Sequence, residues 1–191
     1  MWTFTLDSNC INTIDYGGPD AAFMRRLIDA HAEGKAQVAV VAISAAEKQR
    51  TGSYLDNFDA FRDRLAALGL AHLEILKPMA CYDISFPGWS IEPDEAMAAL
   101  EKQIHDILFP QSEFAWQDYA DANGLDPDSL SPHGDWRSRK CTVLEMWSHI
   151  RSKRDVFVTA VDEFYKPARK DALAALGAGQ IERPAQAVLL L

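Results

Sequence analysis

A chain of 191 residues, 48% hydrophobic and 25% charged, has the composition of an ordinary globular protein, which excludes collagen-like, low-complexity and wholly disordered classes. Its 28 acidic and 19 basic residues leave a net charge of -9, so attraction to nucleic acid or anionic lipid is not a property of the molecule as a whole. The longest apolar run of the first half, Val38 to Ile43, falls far short of the roughly 20 residues that cross a bilayer, and no membrane partner is expected. Asp7, Asn9 and Asn12 interrupt the amino terminus early and leave no signal or transit pattern, so the expectation is an intracellular, cytoplasmic protein. The scattered cysteines Cys10, Cys81 and Cys141 suit core thiols better than a disulfide framework. No pair of histidines has zinc-site spacing.

The length is that of a single domain, and its elements alternate. Trp2 to Leu6 alternates apolar residues with Thr, as a short strand does, and stops at the turn-forming series Asp7, Ser8, Asn9. Asp20 can cap a helix whose apolar positions Phe23, Met24, Leu27 and Ile28 recur at helical spacing up to Gly34. The continuous run Val38 to Ile43 predicts a central strand buried on both faces of a parallel sheet. A helix from about Ser53 carries Leu55, Phe58, Phe61, Leu65 and Leu68 on one stripe and ends at Gly69, and Leu73 to Leu76 follows as a third strand. Helices are predicted over Pro93 to Phe109 and Ser112 to Asn123.

From Asp135 a longer helix places Trp136, Lys140, Val143, Leu144, Trp147 and Ile150 near one face and leaves Arg137, Arg139, Arg151 and Lys153 to reach solvent. A strand at Val156 to Thr159, a helix opened by Pro167 and ended by Gly177, and a short strand at Ile181 complete the pattern. Alternating strands and helices predict an α/β protein, a parallel sheet covered by helices on both faces. Charge is unevenly spread along it. Between Asp83 and Asp135 there are 12 acids and one base, and between Trp136 and Lys170 nine bases and four acids. Either two solvated faces of opposite sign, or a local basic patch able to meet phosphates, would explain the change.

Ligands of open parallel sheets collect at the carboxyl ends of the strands, and acids follow three of these strands. Asp7 comes after the first, Glu47 four residues after Ile43, and Asp162 three after Thr159, while Asp135 opens the helix that feeds the last. Singly, each has an ordinary structural use: Ser44-x-x-Glu47 is a capping box, Asp135 suits a helix start, and Asp7 and Asp162 suit turns. Together they would repel one another and raise one another's pKa unless a cation neutralised them. Clustered carboxylates call for a hard, oxygen-seeking divalent ion, Mg²⁺ or Mn²⁺.

This order of residues resembles the PIN-domain nucleases: Leu6-Asp7-Ser8-Asn9 after a strand, an aliphatic strand with Glu47-Lys48, an acid at a helix start in Asp135, then Asp155-Val156-Phe157-Val158-Thr159 with Asp162 and Phe164, and Leu176-Gly177 with Ile181-x-x-Pro184 at the end. The resemblance covers both ends of the chain and hardly touches the middle. It implies a PIN-like three-layer α/β/α sandwich around a central parallel sheet, with a helical acidic insertion at about 78–134. Two positions depart from the family pattern. Counting back from Phe164 puts Val161 where the family carries an acid, with Asp162 one step later. The family's spacing for the third acid lands near Thr142, on the helix that Asp135 opens.

What the resemblance implies is metal-assisted hydrolysis of RNA phosphodiester bonds, with Asp7, Glu47, Asp135 and Asp162 as metal ligands and catalytic acids. Asn9 and Thr159 would support them by hydrogen bonds, and Arg137, Arg139 and Lys140 would meet substrate phosphates. A toxin-type endoribonuclease would imply a neutralising antitoxin and allows a homodimer. The alternative is a non-catalytic PIN-like module that binds RNA or a protein. A nucleotide-binding or hydrolase domain is disfavoured: Gly177-Ala178-Gly179 follows a helix, and neither a Walker lysine motif nor a Gly-x-Ser-x-Gly elbow occurs.

Overall fold

The computed structural model describes residues 1–48, 52–129 and 134–191. Among these, β1 (Thr3–Leu6), β2 (Gln37–Val41), β3 (Glu74–Leu76), β4 (Val156–Val158) and β5 (Gln180–Glu182) form a sheet in the order β3-β2-β1-β4-β5, every neighbouring pair parallel. Phe4 is in register with Val38 on one side and Val156 on the other, so β1 is the centre of the sheet. The chain runs outward from β1 through β2 to β3, then returns to place β4 on the opposite flank. The direction of winding therefore reverses between β1 and β4, where open α/β sheets place a crevice at their carboxyl ends.

Strand side chains alternate between the two faces, and the sequence fills each face with apolar groups. Phe4, Leu6, Val38, Val40, Val156 and Val158 pack on one side against α1 (Ser8–Tyr16), α2 (Ala21–Ala32), α3 (Phe58–Ala67) and α8 (Pro184–Ala187). Ala39, Val41, Leu76, Phe157 and Ile181 pack on the other against α4 (Glu95–Leu108), α5 (Trp116–Asn123), α6 (Gly134–Arg151) and α7 (Pro167–Ala175). Short 3₁₀ turns at Ala42–Ala46, Asp162–Tyr165 and Val188–Leu190 complete a three-layer α/β/α sandwich, the helix-covered parallel sheet that the alternating pattern predicted and the layering that the resemblance implied. No helix of the described residues is long and apolar enough to cross a membrane.

Three local expectations change. Asp7-Ser8-Asn9 does not make a turn: the Asp7 carboxylate accepts the Cys10 amide at 2.8 Å and caps α1, a nine-residue helix ended by Gly17 at φ 71°. The apolar run at Val38 leaves the sheet at Val41, and its last two residues begin the 3₁₀ turn that carries the chain to Glu47. The helix expected from Ser53 begins at Phe58, capped by the Asn57 side chain. All three are choices between local geometries with the same apolar content, which periodicity alone does not separate.

The acidic middle of the chain supplies α4 and α5, both laid on α6. Trp147, fully buried, donates its indole N–H to the Met97 carbonyl at 3.1 Å, and the buried Glu101 of α4 pairs with Lys140 of α6. α6 is thus sandwiched between the sheet and α4. Ten of its residues are buried, Arg137 and Glu145 among them, which a helix with a single apolar stripe would not show.

Candidate active site

Asp7 leaves β1 at the reversal point of the sheet, and its carboxylate is enclosed on all sides. One oxygen accepts the Cys10 amide as the cap of α1, and the other accepts the Thr159 hydroxyl at 2.5 Å from the end of β4, with Asn9 Nδ2 at 3.5 Å. Thr159 Oγ1 in turn accepts the Val161 amide at 3.0 Å, which leaves its own hydrogen for Asp7. Two neighbouring strand ends therefore hold one carboxylate in a single orientation. Burial raises the Asp7 pKa, opposed by the hydrogen bonds from Thr159 and Cys10.

Glu47 follows the 3₁₀ turn after β2. Its pKa is raised to about 7, first by burial and then by the charge of Asp7, against the pull of Arg137. The third member is Glu145 of α6, buried, with Oε1 accepting the Ser8 amide at 2.8 Å and the Ser44 hydroxyl at 3.3 Å. Its pKa is pushed well up by burial, then by Asp7 and by Glu47. Three elements from different parts of the chain bring three carboxylates within reach of one another's charge. A cavity of about 310 Å³ opens beside them, lined by Ser8, Asn9, Glu47, Arg139, Thr142 and Val161 among others.

Glu145 was not singled out in the sequence, although a signal for it exists. It lies one helical turn beyond Thr142, the position the family spacing selected, and four residues from both Cys141 and His149, which are buried. An acid on the inward stripe of a helix needs a partner or a purpose.

The other expected acids stand elsewhere. Asp135 opens α6 as anticipated, with its side chain 82% exposed and 4.0 Å from Arg139. It shares a cavity of about 540 Å³ with Glu47, Lys48, Tyr54 and Arg137 but is not among the charges that shift Asp7, Glu47 or Glu145. Asp162 is 87% exposed and bound to Arg183 at 2.6 Å, facing outward from the 3₁₀ turn.

The basic residues also separate. Arg137, expected at the surface, is buried: its guanidinium donates to the carbonyls of Ala46 at 3.1 Å and Asp83 at 2.8 Å and lies over the Tyr54 ring at 4.3 Å. It braces the turn that carries Glu47. Lys140 is turned to Glu101. Arg139 alone of the three lines the 310 Å³ cavity, donating to Ser112 Oγ at 2.6 Å.

The donor set of Asp7, Glu47 and Glu145 is all carboxylate oxygen, the chemistry of a hard divalent cation and not of zinc or copper. Among the described residues, however, no three His, Cys, Asp or Glu side chains form a ready cage for an ion.

No family model matches this chain, and no curated protein matches it. Among solved structures it is similar to VapBC2 from Rickettsia felis, in a crystal structure with a DNA fragment from their promoter. That likeness has 14% identity and a TM-score of 0.44, and it covers 95% of this chain and 98% of the other.

Proposed function

We propose that this chain is a PIN-type, metal-dependent ribonuclease whose divalent ion, Mg²⁺ or Mn²⁺, is met by Asp7, Glu47 and Glu145. The observation that supports the reading most is the burial of three mutually repelling carboxylates at the reversal point of the sheet, beside an open cavity. Burying a carboxylate among others is unfavourable, and a cation is the simplest compensation. Since the three do not form a ready cage, part of the ion's shell would be water, as suits Mg²⁺. When bound, the ion supplies charge to the phosphate and acidity to a coordinated water.

The chain's own groups do the placing. Thr159 and the Cys10 amide orient Asp7, the Ser8 amide and Ser44 orient Glu145, and Arg137 holds the turn before Glu47. Glu47 lines the cavity, and Arg139 across it presents a planar fork suited to a substrate phosphate. The RNA substrate, and with it a toxin role with an antitoxin partner, follow from the sequence resemblance. Asp135 and Asp162 have no part in this arrangement.

The test is cleavage of a mixed-sequence RNA with Mg²⁺ or Mn²⁺, compared with Asp7→Asn, Glu145→Gln and excess chelator. All three should abolish cleavage while circular dichroism stays native. Cleavage that persists in chelator or in Asp7→Asn rejects the proposal. Mn²⁺ should also raise the unfolding temperature, and more at pH 8 than at pH 5.5, because it displaces protons from these acids.

The second reading, a non-catalytic PIN-like module for RNA or protein, is favoured by the lack of a ready cage and by Thr142 and Val161 at positions where the family pattern has acids. Calorimetry showing no Mg²⁺ or Mn²⁺ binding would support it against the first.

A further inference from the structure

On the flank of α6 that faces α5 lies a second cavity, of about 410 Å³, which the carboxylate site does not use. Its walls are aromatic: Phe114 from the turn before α5, Trp116 from its first residue, Trp136 from α6, and Tyr82 from the loop after β3. Trp116 and Trp136 meet edge to face with centroids 5.7 Å apart, a fixed corner of the pocket. Tyr82 is 73% exposed, a large ring held at the surface where it gains by being covered. The volume is that of a small-ligand or side-chain pocket, a few hundred Å³ lined by rings with a few polar groups.

Charge decides what fits. The segment that builds the pocket's α5 side carries Glu113, Asp118, Asp121, Asp126 and Asp128 and no base between Pro110 and Ser129. Asp128 lines the cavity itself, and none of the five has an ion-pair partner among the described residues. Among the described residues the cation that lines it is Lys140, which is paired with the buried Glu101 and lies over the Phe114 ring at 4.5 Å and near the Trp136 ring at 5.7 Å. Ring faces plus uncompensated carboxylates attract a cation and repel a phosphate backbone.

We infer that this cavity is the docking pocket for a basic segment of a protein partner, which inserts an arginine side chain between Tyr82 and the Trp116–Trp136 corner while its neighbouring bases meet the α5 carboxylates. Arginine suits the site better than lysine because its flat, weakly hydrated guanidinium stacks on rings and can also bind the Asp128 carboxylate side-on. The site is separate from the Asp7 cluster, and its occupancy requires no cleavage.

Calorimetry on the full chain at about 0.15 M salt, where unspecific charge attraction is screened, tests it with a hexa-arginine peptide and a hexa-uridylate RNA. The peptide should bind, and both Tyr82→Ala and Asp128→Lys should weaken it by about tenfold or more. Both side chains are exposed, so neither change threatens the fold. Absence of peptide binding, or binding that neither substitution weakens, overturns the inference. So does hexa-uridylate binding that Tyr82→Ala removes, since the pocket would then be a base site.

Discussion

The two ends of the sheet both bury charge, and they handle it in opposite ways. At the amino ends of the strands, Arg154 is buried with its guanidinium donating to the Phe4 carbonyl at 3.1 and 3.3 Å, the Gln37 carbonyl at 3.0 Å and the Glu74 carboxylate at 3.0 Å. Beside it Asp155 accepts the Thr3 amide and hydroxyl, bonds that hold its pKa below the usual carboxylate range. Strand ends β1, β2 and β3 are thereby tied to the entry of β4. At the carboxyl ends the buried charges are Asp7, Glu47 and Glu145, all of one sign and all with raised pKa. The first end is built for stability, and the second carries buried like charges that cost stability, which the proposed metal ion would offset.

Substitutions at the two ends should therefore separate activity from stability. The largest effect expected is on cleavage: Asp7→Asn and Glu145→Gln should each lower it by about 10²-fold or more, and Thr159→Val, which only loosens Asp7, by about 10- to 100-fold. In the metal-free protein Glu145→Gln should at the same time raise stability, by about 1–3 kcal/mol in urea unfolding at pH 7.5, because the amide keeps an acceptor for Ser8 and removes an acid whose ionisation is opposed by burial, Asp7 and Glu47 in the folded state and free in the unfolded one. A Glu145→Gln protein less stable than the parent would show that the carboxyl end of the sheet does not give up stability at its acids. Arg154→Ala, at the opposite end, should lower stability by about 2–4 kcal/mol and leave cleavage per folded molecule unchanged, as measured by paired unfolding and turnover assays.

A smaller effect tests the interior between the ends. His149 of α6 donates from Nε2 to the Ala178 carbonyl (2.8 Å), and its Nδ1 lies 2.9 Å from the Thr5 hydroxyl, which donates to it when the ring is neutral. Burial lowers its pKa from 6.5 to about 4. As pH falls below 6.5 the unfolded chain takes up a proton that the folded chain refuses, so stability is full above 6.5 and is lost progressively toward 4. Between pH 7.5 and 5 the loss from this one group should be about 2 kcal/mol, and the unfolding free energy of His149→Gln should fall by that much less over the same range. The smallest effect expected is at Asp162: its exposed pair with Arg183 is worth little, so Asp162→Asn should change stability by under about 0.5 kcal/mol and leave cleavage essentially unaltered.

The strands and most helices were legible because each carries its own periodicity. Val38 to Ile43 reads as a doubly buried strand, of which the sheet keeps the part up to Val41, and α4, α6 and α7 announce themselves by stripes, caps and Pro167. Asp7 and Glu47 were legible as acids that follow strands, a rule tied to the ends of parallel sheets. Glu145 was not, because it follows no strand, and its one signal, an acid a turn beyond Thr142 on the inward stripe of a helix, does not say which groups it meets. It acquires meaning only when α6 is laid across the sheet and turns that face toward Asp7. Arg137 was misplaced for the same reason: on an isolated helix it belongs to the solvent stripe, and the Ala46 carbonyl that holds it comes from 91 residues away.

Sequence by itself determined the alternation of elements, the parallel sheet they imply and the acids waiting at the strand ends, since period, caps and breakers act over a few residues. Tertiary structure alone decided which acids meet. Ser8, next to Asp7, is joined to Glu145 across 137 residues, and Asp7 to Thr159 across 152. Convergence of that kind depends on how helices dock, and docking is set by side-chain packing summed over the whole core.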